Sequence, residues 1–190
     1  NPGCPLCLSG NVQILDMQTG IFGVGFPEMS LGISAQAEVA QSFGLPTWGY
    51  AGCTDAKCVD AQAGLESAFS ILSQGLAGLN LIHDVGYMEM GMTASLELIV
   101  LANDLIDSFQ HYFRPLQIDT DTLALDLIDR IGPAGNFLSE DHTVDHIKEL
   151  WMPNLIDRSD FNMWQANGSL PLEKKLNERV IWILENHTPE

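Results

Sequence analysis

The stretch TWGYAGCTDAKCVDAQAGLESAFSILSQGLAGLNLIH occupies residues 47–83 and passes from one hydrophobic period to another and back. Thr47–Ala51 (TWGYA) is short and aromatic, which predicts a strand. Leu65, Phe69, Leu72 and Leu76 then recur at helical spacing, which predicts a helix with that stripe buried. Leu79–His83 (LNLIH) predicts the next strand. Strand, helix, strand in this order predicts a βαβ unit with parallel strands, whose functional loops follow the strand C-termini.

Working outward, the pattern continues on both sides. Upstream, Pro5–Leu8 is a short apolar run, and Gly20–Pro27 (GIFGVGFP) lacks the third glycine of a dinucleotide fingerprint and is expected to be a loop. Ala35, Val39 and Phe43 mark the apolar face of a helix over Ser30–Phe43, closed by Gly44 and Pro46. Downstream, a loop over Asp84–Gly91 leads to a long helix from about Met92 to Phe113. That helix has Leu96, Ile99, Val100, Ile106 and Phe109 on one side and Leu98, Leu101 and Leu105 on another, so it is expected to be covered twice. After Pro115 only helices are predicted: Thr122–Ile131, His142–Trp151 and Leu172–His187, the last started by Ser169 and Pro171. The expected organisation is three βα units over residues 1–114 and a helical region over 115–190. Three such units cannot close an eight-stranded barrel, which needs roughly 250 residues. The expectation is therefore a small open-sheet protein or the C-terminal part of a barrel, and a start at Asn1 without Met or a leader favours the second.

The composition narrows the function. Of 190 residues, 46% are hydrophobic and 17% charged, a globular balance. No run of eighteen apolar residues offers a membrane span. There are 8 Lys and Arg against 25 Asp and Glu, a net charge of -17. Nucleic acid and anionic membrane surfaces are repelled by such a chain, whereas a cationic ligand is not. Cys4, Cys7, Cys53 and Cys58 include a single CxxC at Cys4–Cys7, with no second pair to complete a zinc site. Reduced thiols in a cytoplasmic protein are the expectation.

Tyr50–Lys57 (YAGCTDAK) with Asp60–Gly64 (DAQAG), then Gly86–Thr93 (GYMEMGMT) continuing through Ser95–Glu97 to Asn103 and Asp104, form two spaced blocks. Ile131–Gly132, Asn136–Leu138, Asp157–Arg158 and Trp164 follow in order. In this order they resemble the trimethylamine methyltransferase family, over nearly the whole chain but only the later part of the family's (β/α)8 TIM barrel. The resemblance implies transfer of a methyl group from a methylated amine to cob(I)alamin carried by a separate corrinoid protein, with no cofactor bound directly. The family's archaeal branch carries pyrrolysine at the position resembling Cys53, so this chain looks like the non-pyrrolysine branch. A thiol offers no electrophile to activate a tertiary amine, and a quaternary amine such as a betaine needs none.

Among single residues, Cys53 and Glu89 are the candidate catalytic positions. Cys53 among acids should keep a raised pKa, which suits lining a pocket better than acting as a thiolate. Trp48 and Tyr50 could hold a quaternary cation against their rings at about 0.5–2 kcal/mol per contact. Asp55, His83 and Asp84 are further candidates for the substrate site, following strands as they do. His142 and His146 form an HxxxH without the adjacent Glu of a zinc protease, and are expected on a solvated helix face, with no metal. Two other classes compete: a non-catalytic acidic binding or assembly module, and a zinc-thiolate corrinoid methyltransferase using Cys53 and His83. A part of a barrel would expose strand edges and apolar faces, so the chain is expected to be a homo-oligomer and inactive alone.

Overall fold

The computed structural model describes residues 3–188. The chain begins with β1 (Leu8–Ser9) and a hairpin of β2 (Ile14–Asp16) and β3 (Ile21–Gly23). Then come α1 (Pro27–Ser42), β4 (Thr47–Tyr50), α2 (Ala61–Leu76) and β5 (Leu81–His83). A second hairpin, β6 (Tyr87–Met88) and β7 (Thr93–Ala94), leads into α3 (Leu96–Phe113). The remainder is helical: α4 (Thr120–Leu123), α5 (Leu125–Ile131), α6 (Asp141–His146), α7 (Phe161–Ala166) and α8 (Leu172–Asn186). Among the described residues no helix is long and apolar enough to cross a membrane.

The fold is mixed α/β, and the predicted alternation of strand and helix is present. β1, β4 and β5 form one parallel sheet in that order, with Leu8 opposite Thr47, Trp48 opposite Leu81 and Tyr50 opposite His83. Side chains alternate across a strand. Thr47, Gly49 and Ala51 are buried on the helix side, whereas Trp48 and Leu81, on the other face, stay 45% and 53% exposed. A Cβ on Gly49 would strike Leu79, Gln74 and Ile33, so glycine there lets α1 and α2 pack close to the sheet.

Helix ends follow local chemistry. Pro27 occupies the first turn of α1, where its missing N–H costs nothing. The Asp60 carboxylate accepts from the amides of Gln62 and Ala63 at the start of α2, and Ser95 Oγ accepts from Leu98 N at the start of α3. α3 is covered on two sides, although Leu96 and Ile99 of the expected first stripe stay exposed. One side packs with Ala63, Met88 and Leu176 of α8, and the other, through Ala102, Ile106 and Phe109, with Ala51 and Ile71. Buried Asp104 on α3 accepts hydrogen bonds from the amides of Asn154 and Ile156, which fastens the 151–158 loop to this helix.

Several expectations are corrected. Gly20–Pro27 contains a strand: Gly20, at φ 72°, closes a tight turn whose Asp16 carboxylate holds Gln18 N and Thr19 Oγ, and β3 returns along β2. The buried stripe of α2 is Ala63, Ser67, Ser70, Ile71 and Gln74, while Leu65 and Leu76 are 70% and 63% exposed. On α1, Met29, Ile33, Ala37 and Ala40 face inward, and Val39 and Phe43 face outward. The helix expected over Thr122–Ile131 is broken at Ala124, which sits at φ 48° between α4 and α5. The expected His142–Trp151 helix gives way to a 3-10 turn at Ile147, and α7 has no counterpart among the predicted elements.

Candidate functional site in the loops after the parallel strands

The loop after β4 and the loop after β5 are joined through their backbones. Ala51 N donates to His83 O at 3.0 Å, Gly86 N to Gly52 O at 3.0 Å, and Thr54 N to Tyr87 O at 3.0 Å. Gly52 sits at φ 73°, in the left-handed region that favours glycine, and a Cβ there would press on Val85. The loop is held from beneath by α2. Ser70 Oγ accepts from Gly52 N at 3.0 Å, and Gln74 Nε2 donates to Tyr50 O. Glu66 accepts from the Thr54 hydroxyl, from Asp55 N at 2.8 Å and from Gln62 Nε2 at 2.9 Å.

Within this frame Cys53 is buried, 3% exposed, against Val24, Met29, Ile33 and Tyr50. Burial pushes its thiol up to about 12, and the negative charges of Asp84, Asp55 and Glu66 add to the rise. It is a neutral thiol at physiological pH. Tyr50 is also covered, its hydroxyl donating to Val12 O at 2.9 Å, and burial pushes the phenol up to about 12.

Trp48 and His83 form the open part of the same sheet face. Their rings meet edge to face with centroids 5.5 Å apart, and the Tyr50 ring lies 6.3 Å from His83. His83 Nδ1 is 2.6 Å from Asp84 Oδ1, so the imidazole bridges the aromatic pair to a carboxylate. Asp84 holds φ 69°, and Glu89 and Met90 hold 49° and 57° consecutively. Such backbone is costly for residues other than glycine and clusters where loops are shaped for a task. Glu89 lies exposed on a 3-10 turn (Glu89–Gly91) beside β3.

The structure thus brings together Trp48, Tyr50, Cys53, His83 and Asp84. Asp55 points elsewhere: its carboxylate accepts from Val24 N at 2.9 Å and Gly25 N at 2.8 Å, clamping the loop between β3 and α1. Glu66, Ser70 and Gln74 escaped the sequence reading, though their four-residue spacing was a visible polar stripe. A groove of about 640 Å³, lined by Cys58, Glu97, Glu173 and Asn177, lies apart from these candidates. Among the described residues Cys53 and His83 belong to no cluster of three metal-ligating groups; Asp121, His142 and His146 form one.

Trp48, Tyr50 and His83 thus form an aromatic face with the Asp84 carboxylate at its edge, at the C-terminal ends of the parallel strands of an α/β protein. The sequence matches the profile of trimethylamine methyltransferase (MTTB) over residues 1–190, and the chain belongs to that family. It is 35% identical to the glycine betaine methyltransferase of Desulfitobacterium hafniense (strain Y51), over 100% of this chain and 40% of that protein. It is 35% identical to the trimethylamine methyltransferase MttB of Desulfitobacterium hafniense (strain DSM 10664 / DCB-2), over 99% of this chain and 38% of that protein. A third relative, trimethylamine methyltransferase MttB2 of Methanosarcina mazei, is 37% identical over 98% of this chain and 38% of its own length. The chain therefore spans about two fifths of the length of these relatives.

Proposed function

We propose that this chain is the C-terminal part of a methyltransferase that takes a methyl group from a quaternary amine such as a betaine and passes it to the cob(I)alamin of a partner corrinoid protein. In this reading β1, β4 and β5 are consecutive staves of a (β/α)8 barrel, residues 1–114 are its last units, and residues 115–190 are a helical region packed on them. The sheet face bearing Trp48 and His83 then looks into the barrel, which accounts for its being uncovered here. The observation that carries the substrate class is Cys53. Where the family resemblance puts pyrrolysine in the archaeal branch, this chain has a buried thiol pushed up to about 12. Neither an electrophile nor a thiolate is on offer at this position to activate an uncharged amine, which favours a substrate whose nitrogen carries a permanent positive charge.

The chemistry then balances without a residue as nucleophile. The carbon–nitrogen bond breaks with its electron pair staying on nitrogen, which departs as a neutral tertiary amine, and the acceptor supplies the pair for the new bond to carbon. The partner's corrinoid supplies that acceptor when docked. Trp48 and His83 hold the cation against their rings, and Asp84 balances its charge across the imidazole. Tyr50 and Cys53 wall the inner side. Glu89, the other candidate catalytic position, is carried on the strained turn that follows β6.

The test is a methyl-transfer assay of the whole protein with a reduced corrinoid protein, following loss of cob(I)alamin absorbance. Glycine betaine and other quaternary amines are offered in parallel with trimethylamine. Transfer from a quaternary amine and none from trimethylamine is expected. Transfer from trimethylamine with none from any quaternary amine overturns the reading.

A further inference from the structure

Residues 114–171 contain no buried side chain, so apolar burial does little to hold this part of the chain together. A polar constellation joins α4 to α6 within it. His142 and His146 lie one turn apart on α6, with ring centroids 4.2 Å apart and planes at 38°. His142 Nε2 meets the backbone carbonyl of Asp121 at 2.9 Å. His146 Nε2 is 3.3 Å from Asp121 Oδ2, and its Nδ1 is 2.8 Å from Glu149 Oε1. Both ring nitrogens of His146 therefore face carboxylate oxygens, one from α4 and one from the turn after α6.

One ligand atom from each of Asp121, His142 and His146 lies within 4.8 Å of the other two. Metal–nitrogen and metal–oxygen bonds to such groups are about 2.0–2.2 Å, so each side chain has to move by less than about 1 Å to reach bonding distance. Two imidazoles and a carboxylate are the donor set that borderline divalent ions favour. The carboxylate of Glu149 on the far nitrogen of His146 is the outer-shell partner that fixes a metal-binding tautomer. The two histidines also line a groove of about 750 Å³ bordered by Arg114–Ile118, which gives an ion a path in and leaves room for water in a remaining position.

We propose that Asp121, His142 and His146 bind a first-row divalent ion of the zinc class, with Glu149 orienting His146, and that the ion staples α4 to α6. The spacing of the two histidines was visible in the sequence. The third donor, twenty-one residues before His142, was not. The site is independent of the methyl-transfer reading, since it sits on helices that contribute nothing to the strand-end loops.

The experiment titrates metal-free protein with zinc against a chromophoric chelator and, separately, with Co²⁺ while recording its visible d–d bands. One equivalent is expected. The His142→Ala/His146→Ala double variant should bind at least 100-fold more weakly, Glu149→Gln about 10- to 100-fold more weakly, and Asp145→Asn on the same helix like the parent. A double variant that binds zinc like the parent overturns the proposal. So does a parent that binds none. Because the double variant can lose its short helix, amide exchange of the unmodified protein is read as well: zinc should slow exchange in residues 119–149, and no change there also overturns it.

Discussion

At Cys53 the decisive quantity is the proton. Thiol reagents attack the thiolate, and a group held near 12 presents very little of it at pH 8. Cys4 is exposed and free. Mass-spectrometric mapping after brief alkylation at pH 8 should therefore show Cys4 modified and Cys53 about 1,000-fold slower; comparable rates would mean that the thiol is neither buried nor surrounded by acids as described. The sequence allowed part of this to be foreseen, because Asp55 lies near Cys53 in the chain. Asp84 does not, and it arrives only through the parallel pairing of β4 with β5. The two aromatics also differ in exposure. Alternation puts Trp48 and Tyr50 on one face, but the Val12 carbonyl and α1 cover Tyr50 and leave Trp48 open. Nothing in the local pattern of residues 47–51 encodes that cover. Asp55 looked like a substrate carboxylate because it follows a strand, and it is instead satisfied by two backbone amides from a loop thirty residues away.

Helix α2 was recognised as a helix and turned the wrong way round. Its large residues Leu65, Phe69 and Leu76 repeat at helical spacing, and so do Glu66, Ser70 and Gln74 on the other side. Hydrophobic periodicity reports that a helix exists, and close packing decides which stripe meets the sheet. Here Gly49 and Ala51 leave room for small and polar side chains whose hydrogen bonds hold the loop above. Glu66 is the centre of that support. Removing it by Glu66→Ala leaves the Thr54 hydroxyl and Asp55 N without their acceptor, and hydrogen bonds to a charged group contribute about 1.5–3 kcal/mol. Urea denaturation should show a loss of about 2 kcal/mol; a change within about 0.5 kcal/mol, the size typical of plain surface substitutions, would mean that the network is not holding the loop. The helices after Pro115 were harder to place for another reason. α4, α5 and α6 are short and bury no residue, so no buried stripe marks them in the sequence, and only α4 carries a side-chain cap, the reciprocal Asp119–Thr122 box.

At the scale of the molecule, three parallel strands have one face covered by helices and one face largely open. Large apolar side chains are also outward on α1 and α2, including Leu31, Val39, Phe43, Leu65 and Phe69. Exposed apolar side chains in such number favour association. Sedimentation of the 190-residue chain should show a dimer or larger species, and a well-behaved monomer would count against the barrel reading. The alternation of strand and helix was legible because βα units are local. Closure into a barrel, which belongs to the proposed reading, is not local in this way and depends on strands outside residues 47–113. The net charge of -17 acts over the same scale, disfavouring anionic surfaces and leaving the approach of a cation unopposed. The backbone bonds between the two strand-end loops carry a last implication, for anyone who would move this site to another scaffold. Grafting the 51–60 loop alone would strand the Ala51 and Thr54 donors and the Gly52 acceptor, and grafting 83–94 alone would strand their counterparts. The transplantable module is residues 51–94 with α2 inside it, a single cassette in which neither loop is an independent part.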